Sequence, residues 1–414
     1  MSGSPALERR LGTGDAVLLG LGSMVGAGVF AVFAPAAAVA GSRLLVGLLV
    51  AAVVAYCNAT ASAQLAAQYP TSGGTYLYGR ERLGEWWGFL AGWGFVIGKT
   101  ASLAAMALTF AAYVVPEAWQ RPAALVAVVG VAAVNYRGIT RTAQATRVIV
   151  TLVLAVLGTA VVVSLAGGSP EAGRLSPAGG PQSVYGVLQS AGLLFFAFAG
   201  YARIATLAEE VREPRRTIPR AVTIALGAAV LLYAIVGATV LAVLGPDGTA
   251  ASSAPLADAV ESTGWGWTSP LVRTGAAAAS LGALLALVAG VGRTTLAMAR
   301  HGDLPSWLAG VHPRFHAPHH AEVAVAAAVC VLVLTVDLRG AIGFSAFGVL
   351  LYYLVANLAA LTQASPHRRY PRALQVLGAV GCVTLAATVP AAALVSGAVV
   401  LALGAAYRLL RLRG

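Results

Sequence analysis

Charge is scarce in this 414-residue chain, and lysine and cysteine are scarcer still. Charged residues make up 10% of the sequence and hydrophobic residues 58%, where an ordinary soluble domain carries about 25% charged residues. With a mean hydropathy of +0.81, a water-soluble enzyme is excluded. Cysteine occurs three times, as Cys57, Cys330 and Cys382, each inside an apolar run. A free thiol there behaves as a small hydrophobe, so neither a disulfide nor a metal site is expected. The GxxxxGKS/T phosphate loop is missing as well, which leaves ATP-driven transport by this chain alone unsupported and implies no cofactor. Lys and Arg total 27 against 15 Asp and Glu, a formal net charge of +12. In a soluble chain that excess would suggest nucleic acid, but its placement argues otherwise.

What the chain has in abundance is apolar runs of 18 residues or more, each able to cross about 30 Å of hydrocarbon. Reading them between charged and Pro/Gly breaks gives about twelve membrane-spanning helices. They are expected near 14–40, 44–69, 84–113, 122–136, 143–167, 184–207, 217–245, 269–299, 321–338, 341–362, 373–389 and 391–408. Arg9 and Arg10 ahead of the first run also fit a signal peptide; that run is too long for one and lacks a cleavage site, so it is read as the first span. The chain is therefore expected to be an all-α polytopic membrane protein whose main partner is the lipid bilayer. Of its 26 arginines, only Arg43, Arg121, Arg174, Arg273 and Arg339 fall on one side of this topology, and the other 21 fall on the opposite side. Basic residues are retained in cytoplasmic loops, so both termini are expected inside the cytoplasmic membrane. The bias also explains the basic balance without nucleic acid.

Two spans look broken. GSMVGAGVF, residues 22–30, sets three glycines within seven positions of the first span, and glycine costs about 1 kcal/mol in a helix interior. Unwound backbone at membrane depth is tolerated only where it lines a cavity or is buried in protein. FFAFAG, residues 195–200, places Gly200 in the middle of the sixth span. The economical reading is an inverted repeat of five plus five helices with two more appended, divided as 1–167, 184–362 and 373–414. Glycines such as Gly20 and Gly237 are read instead as helix-packing positions. A half-helix N-terminus offers free N–H groups to an anion, and carbonyls freed in the partner helix accept from an ammonium. Together they would clamp a carboxylate and an amine.

GSMVGAGVF, YPTSGGTYLYGRERLG at 69–84, FFAFAGYARIATLAEEVREPRRTIPRA at 195–221 and MARHGDLPSWLAGVHPRF at 298–315 resemble the amino acid permease family of the amino acid/polyamine/organocation superfamily. The resemblance runs through nearly the whole chain in order. It implies the LeuT-type fold, with helices 1 and 6 discontinuous, and movement of a small-molecule amino acid by alternating access. It also implies that the backbone of Ser23, Met24, Val25, Gly26, Ala27 and Gly28 receives the substrate carboxylate. Carbonyls of Phe196, Ala197 and Ala199, beside Gly200, would receive the amine. Phe196 or Phe198 would close over the substrate or simply pack, and Tyr352 and Tyr353 would gate or pack.

Lys99, the single lysine, sits near the centre of the third span. An ionisable group there costs on the order of 3 kcal/mol and usually faces a cavity. Its helix face reads Gly88, Gly92, Phe95, Lys99, Ser102 and Met106, which points the amine into the bundle. Lys99 is either a lysine satisfied by freed carbonyls or a titratable amine that couples transport to a proton. Family relatives place a coupling lysine in the fifth helix, where this chain has Val153; they often carry acids where it has Ala202 and Gln64. Around 284–292, where sodium-coupled relatives use hydroxyl pairs, it offers none. Sodium coupling thus loses support. With no carboxylate at mid-depth, neutral zwitterionic substrates are favoured over arginine, lysine or polyamines. Arg203 is read as snorkelling to the interface, and His316, His319 and His320 with Arg212, Arg215, Arg216 and Arg220 as a solvated surface. The alternatives are an exchanger of cationic substrates, a channel, or a transporter-derived sensor that binds an amino acid without accumulating it; no residue pattern supports an enzyme.

Overall fold

The computed structural model describes residues 12–69, 73–137, 143–177, 183–201, 204, 211–315 and 317–413. Among the described residues every regular element is helical and no strand occurs. The first apolar run is divided into α1 (Thr13–Met24), α2 (Gly28–Ala31) and α3 (Phe33–Ala40). It is followed by α4 (Leu44–Gln68), a short α5 (Gly74–Leu83), α6 (Glu85–Val114), α7 (Gln120–Tyr136) and α8 (Ala143–Gly167). The second half comprises α9 (Val184–Phe198), α10 (Pro214–Ala251), a short α11 (Pro255–Glu261), α12 (Ser269–Arg300), α13 (His319–Thr335) and α14 (Leu338–Leu361). The chain ends with α15 (Arg372–Thr388) and α16 (Ala391–Arg413).

Breaker chemistry sets many of these boundaries. Proline stands in the first turn of α10, α11 and α12, where its missing N–H costs nothing. Ser183 and Asp337 cap α9 and α14 by accepting from the N–H of Gly186 and Gly340 at 3.3 and 2.8 Å. Helix α10 runs longer than the apolar pattern suggests, because helical hydrogen bonding resumes beyond Gly245, whose φ of 73° makes a kink just before Pro246. Nine helical stretches among the described residues are long and apolar enough to cross a membrane, and α13 and α15 are shorter apolar helices. The molecule is a multi-pass helical membrane protein.

Its interior is built largely from alanine and glycine, so helices approach closely. At the crossing of α6 and α14, a Cβ on Gly94 would fall 2.9 Å from the carbonyl oxygen of Gly348, and one on Gly98 3.0 Å from that of Ser345. This spacing of two glycines four apart is the small-residue packing seam of membrane helices. One turn further along, Ser102 and Ser345 share a hydroxyl hydrogen bond of 2.6 Å. Large apolar side chains such as Leu231, Val126, Leu403 and Leu410 face outward. That arrangement suits a hydrocarbon surround, which does not penalise exposed leucine.

Candidate functional site

The first run loses its helix where the glycines cluster. Val25 still donates to the Leu21 carbonyl at 2.7 Å, residues 25–27 bend, and the helix restarts at Gly28. A helix start leaves its first N–H groups without intrahelical partners. Here those of Gly26, Ala27, Gly28 and Val29 have no backbone acceptor among the described residues. All of Met24, Val25, Gly26, Ala27 and Gly28 are buried, and Ser23 is half-buried with its hydroxyl turned back to donate to the Leu19 carbonyl at 3.0 Å.

The second interruption follows α9. Helical bonding gives way to a tighter 3-10 turn over Ala199–Tyr201, with the Ala199 N–H reaching only to Phe196. Phe196, Ala197, Phe198 and Ala199 are buried. Ala202, Arg203 and the segment carrying the two glutamates of the LAEEV motif lie outside the described residues, as does His316.

These two interruptions touch each other. A Cβ on Gly200 would lie 2.1 Å from the Ser23 carbonyl oxygen and 2.7 Å from the Met24 nitrogen. One on Gly28 would lie 2.8 Å from the Ala197 Cα. Glycine is required at both places because backbone meets backbone. The missing side chain of Gly28 admits the partner helix.

Four side chains from surrounding helices bond the freed carbonyls. Tyr233 of α10 places its hydroxyl 2.7 Å from the Met24 oxygen and 3.1 Å from the Ala197 oxygen, bridging both interruptions. From α14, Tyr353 donates to the Ala199 oxygen at 3.2 Å, and Lys99 Nζ of α6 approaches that same oxygen at 3.5 Å. Tyr113 donates to the Phe30 oxygen at 3.2 Å. Lys99 is 9% exposed and forms no ion pair among the described residues, so its expected inward orientation is what the fold adopts. Aromatic rings close the surroundings: Phe198 lies against Tyr233 and Phe195 against Tyr353, while Tyr201 stacks on Tyr353 at 5.0 Å. Tyr352 accepts from the Thr75 N–H at 3.0 Å, tying α14 to α5.

A buried ionic knot, which no local pattern in the sequence marks, lies apart from the interruptions. Asp303, 4% exposed, accepts from Tyr76 at 2.7 Å, from Arg80 at 3.0 Å and from Arg408. Arg408 also covers the rings of Trp86 and Phe89 at 5.0 Å and pairs with Glu85 at 3.4 Å. The knot joins α5, α6, the α12–α13 connection and α16. Its members are scattered over 330 residues: Tyr76 and Arg80 lie in the YPTSGGTYLYGRERLG stretch and Asp303 in MARHGDLPSWLAGVHPRF, and nothing in either stretch shows that they meet. Outside the spans, the Glu261 carboxyl is held below its usual range by the Ser269 hydroxyl, with Arg273 adding to the effect.

Long apolar helices, two of them interrupted and in contact with each other, make this a multi-pass membrane protein. The chain belongs to the amino acid permease family, whose pattern it matches over residues 11–407. It is 57% identical over 407 residues to an uncharacterized transporter of Mycobacterium tuberculosis, covering 98% of this chain and 92% of that one. It is 30% identical to the human cationic amino acid transporter 4, over 84% of this chain and 58% of the human one. With the branched-chain amino acid permease of Bacillus subtilis it shares 27% identity, over 77% of this chain and 73% of the relative. The chain is a transporter of the permease type and not an enzyme.

Proposed function

We propose that the protein is a secondary active transporter that moves neutral, zwitterionic amino acids across the cytoplasmic membrane by alternating access, coupled to protons through Lys99. The observation that supports this reading best is the contact between the two interruptions, where free N–H groups on one strand of backbone meet freed carbonyls on the other. Those N–H groups, from Gly26 to Val29, suit a carboxylate. The carbonyls of Ala197 and Ala199 are bonded by tyrosine and lysine donors that an incoming ammonium would replace. Twelve spans in a 5+5+2 LeuT-type arrangement with both termini inside, divided at 1–167, 184–362 and 373–414, accommodate the two interruptions at equivalent positions.

The human relative's name raises the cationic alternative. Against it, the buried acids among the described residues, Asp303 and Glu322, stand away from the interruptions: Asp303 is held by two arginines, and Glu322 packs against Gly292. The Bacillus relative's name fits a neutral substrate directly. Uptake in proteoliposomes under an imposed pH gradient, without sodium, tests the reading after a thermal-shift screen of the common amino acids has named the ligand. Wild-type protein should accumulate that amino acid, and Lys99→Ala should bind it yet lose the response to the gradient. Gradient-driven accumulation by Lys99→Ala at the wild-type rate removes the coupling role. Binding without any accumulation by the wild type makes the protein a sensor, and equal binding of the decarboxylated amine moves the substrate to polyamines.

A further inference from the structure

A second buried polar locus occupies the seam between α4, α14 and α15, none of whose polar side chains belongs to the interruptions. Asn58 and Ser62 stand one turn apart on α4, and Asn357 faces them from α14. From α15 come Gln375 and Cys382, on the same face as Gly378, where a Cβ would fall 2.4 Å from Asn357 Oδ1. Each of these side chains is at most 4% exposed. Asn357 Nδ2 donates to Asn58 Oδ1 at 2.6 Å and to the Tyr353 carbonyl at 2.9 Å, and the Cys382 thiol donates to Asn58 Oδ1 at 3.3 Å.

The remaining polar atoms are left over. Asn58 Nδ2, Ser62 Oγ, Asn357 Oδ1, Gln363 Oε1 and both Nε2 and Oε1 of Gln375 are buried with no partner among the described residues. Turning the amides over does not help, because Asn58 Oδ1 already serves two donors. Buried polar groups are almost always bonded, to protein or to ordered water. Six such atoms in one seam therefore mark a site for a small polar ligand. Amide nitrogens and a hydroxyl stand among the oxygens, whereas a hard cation would be surrounded by oxygen alone. Water accepts from the first kind of group and donates to the second.

We infer that the seam holds a file of ordered waters, and that this file carries protons between Lys99 and the end of the bundle assigned to the cytoplasm. The inference rests on the proposed coupling role of Lys99. At the outer end of the file Gln363 Nε2 donates to Gln68 Oε1 at 2.6 Å, and the Arg369 N–H reaches Gln64 Oε1 at 3.4 Å. At the inner end Asn357 stands one turn from Tyr353, whose hydroxyl bonds the same Ala199 oxygen that Lys99 approaches. Among the described residues, the titratable and charged groups facing the seam are the thiols of Cys57 and Cys382, the phenols of Tyr201 and Tyr353, and Arg368 and Arg369 at the mouth. None of them is a carboxylate or an imidazole, so the proton travels on water. The Lys99 ammonium gives one proton to the nearest water, each water passes one on, a hydronium leaves at the mouth, and a neutral amine remains.

The test uses the full chain reconstituted in liposomes. Radiolytic hydroxyl labelling of the wild type should modify Cys382, which reports bound water beside it, and Gln375→Leu should reduce that labelling. Gln375→Leu and the milder Ser62→Ala should lose pH-driven accumulation while substrate counterflow at equal pH is retained; a purely structural role would lower both together. Unlabelled Cys382 in the wild type, or wild-type accumulation by both variants, overturns the inference, as does labelling or uptake that depends on sodium. Lys99→Ala run in parallel separates the two ideas. If it keeps gradient-driven accumulation, the coupling reading fails and the proton route with it, whatever Cys382 reports. If it loses accumulation while both seam variants keep it, only the water route is wrong.

Discussion

Adding a single methyl group at Gly200 tests whether the contact between the two interruptions organises the molecule. In Gly200→Ala the new Cβ would stand 2.1 Å from the Ser23 oxygen, 2.3 Å from the Ser23 carbonyl carbon and 2.7 Å from the Met24 nitrogen. Carbon needs about 3.5 Å to such atoms, so the two backbones must part by more than about 1 Å. All three obstacles are main-chain atoms, which cannot rotate away. Overpacking costs about 1–3 kcal/mol where side chains can yield, and with backbone on both sides the variant should lose about 3 kcal/mol. The Tyr233 bridge between Met24 and Ala197, already spanning 2.7 and 3.1 Å, cannot keep both bonds across such a gap. Parting the two backbones also moves the N–H groups of 26–29 away from the Ala197 and Ala199 carbonyls, so substrate affinity should fall together with stability. Gly227→Ala and Gly290→Ala provide the control: both glycines lie inside helices with open space around the Cβ position. There alanine should stabilise by about 0.5–1 kcal/mol. Unfolding temperature in detergent, measured with and without substrate, reads all three variants. A Gly200→Ala protein that melts and binds like the wild type would refute the contact.

Tyr233→Phe keeps the ring against Phe198 but removes the hydroxyl shared by the two carbonyls, and should cost about 1–2 kcal/mol in thermal unfolding while substrate binding persists; unchanged stability would remove the bridge from the account. Asp303→Asn leaves Arg408 buried beside only a solvent-facing Glu85, and breaking a buried pair from one side costs about 3–5 kcal/mol. Adding Arg408→Met to that variant should recover part of the loss, and a double-mutant cycle on unfolding temperature that shows strict additivity would contradict the knot.

Much of the helical order was legible because its causes are local. Apolar runs and proline or glycine boundaries fix where α4, α6, α8, α12 and α14 begin and end, and the glycine cluster at 22–28 fixes where α1 stops. Lys99 pointed inward from its helix face alone, since Gly88 and Gly92 share that face and their smallness betrays close neighbours. What the pattern could not reveal was partnership across the bundle. The donor that bridges the interruptions, Tyr233, is one tyrosine in an apolar run more than 30 residues from either carbonyl. The Asp303 knot draws on residues from 76 to 408, each unremarkable in its own segment. The seam of Asn58, Ser62, Asn357 and Gln375 reads in sequence as four polar residues in three apolar stretches, and only packing reveals that they share one interior.

The tethers on the second interruption also set how strongly a proton could bias the transporter. Ala199 is held to the surrounding helices by two donors, a neutral phenol from α14 and the Lys99 amine from α6. A charged donor makes roughly twice as strong a hydrogen bond as a neutral one, a net difference of about 1 kcal/mol. Losing the proton would therefore loosen the interruption from α6 without freeing it, because Tyr353 keeps its bond. A ligand or proton shifts a two-state equilibrium only by its differential affinity for the two states, and about 1.4 kcal/mol corresponds to a tenfold change. On the proposed reading, protonation of Lys99 biases the bundle by somewhat less than about tenfold through this bond alone. The substrate ammonium, competing for the same oxygen, must supply the rest. Occupancy of the site and charge on Lys99 are then two entries to one equilibrium, and a chain with a single lysine needs no second titrating group to link them.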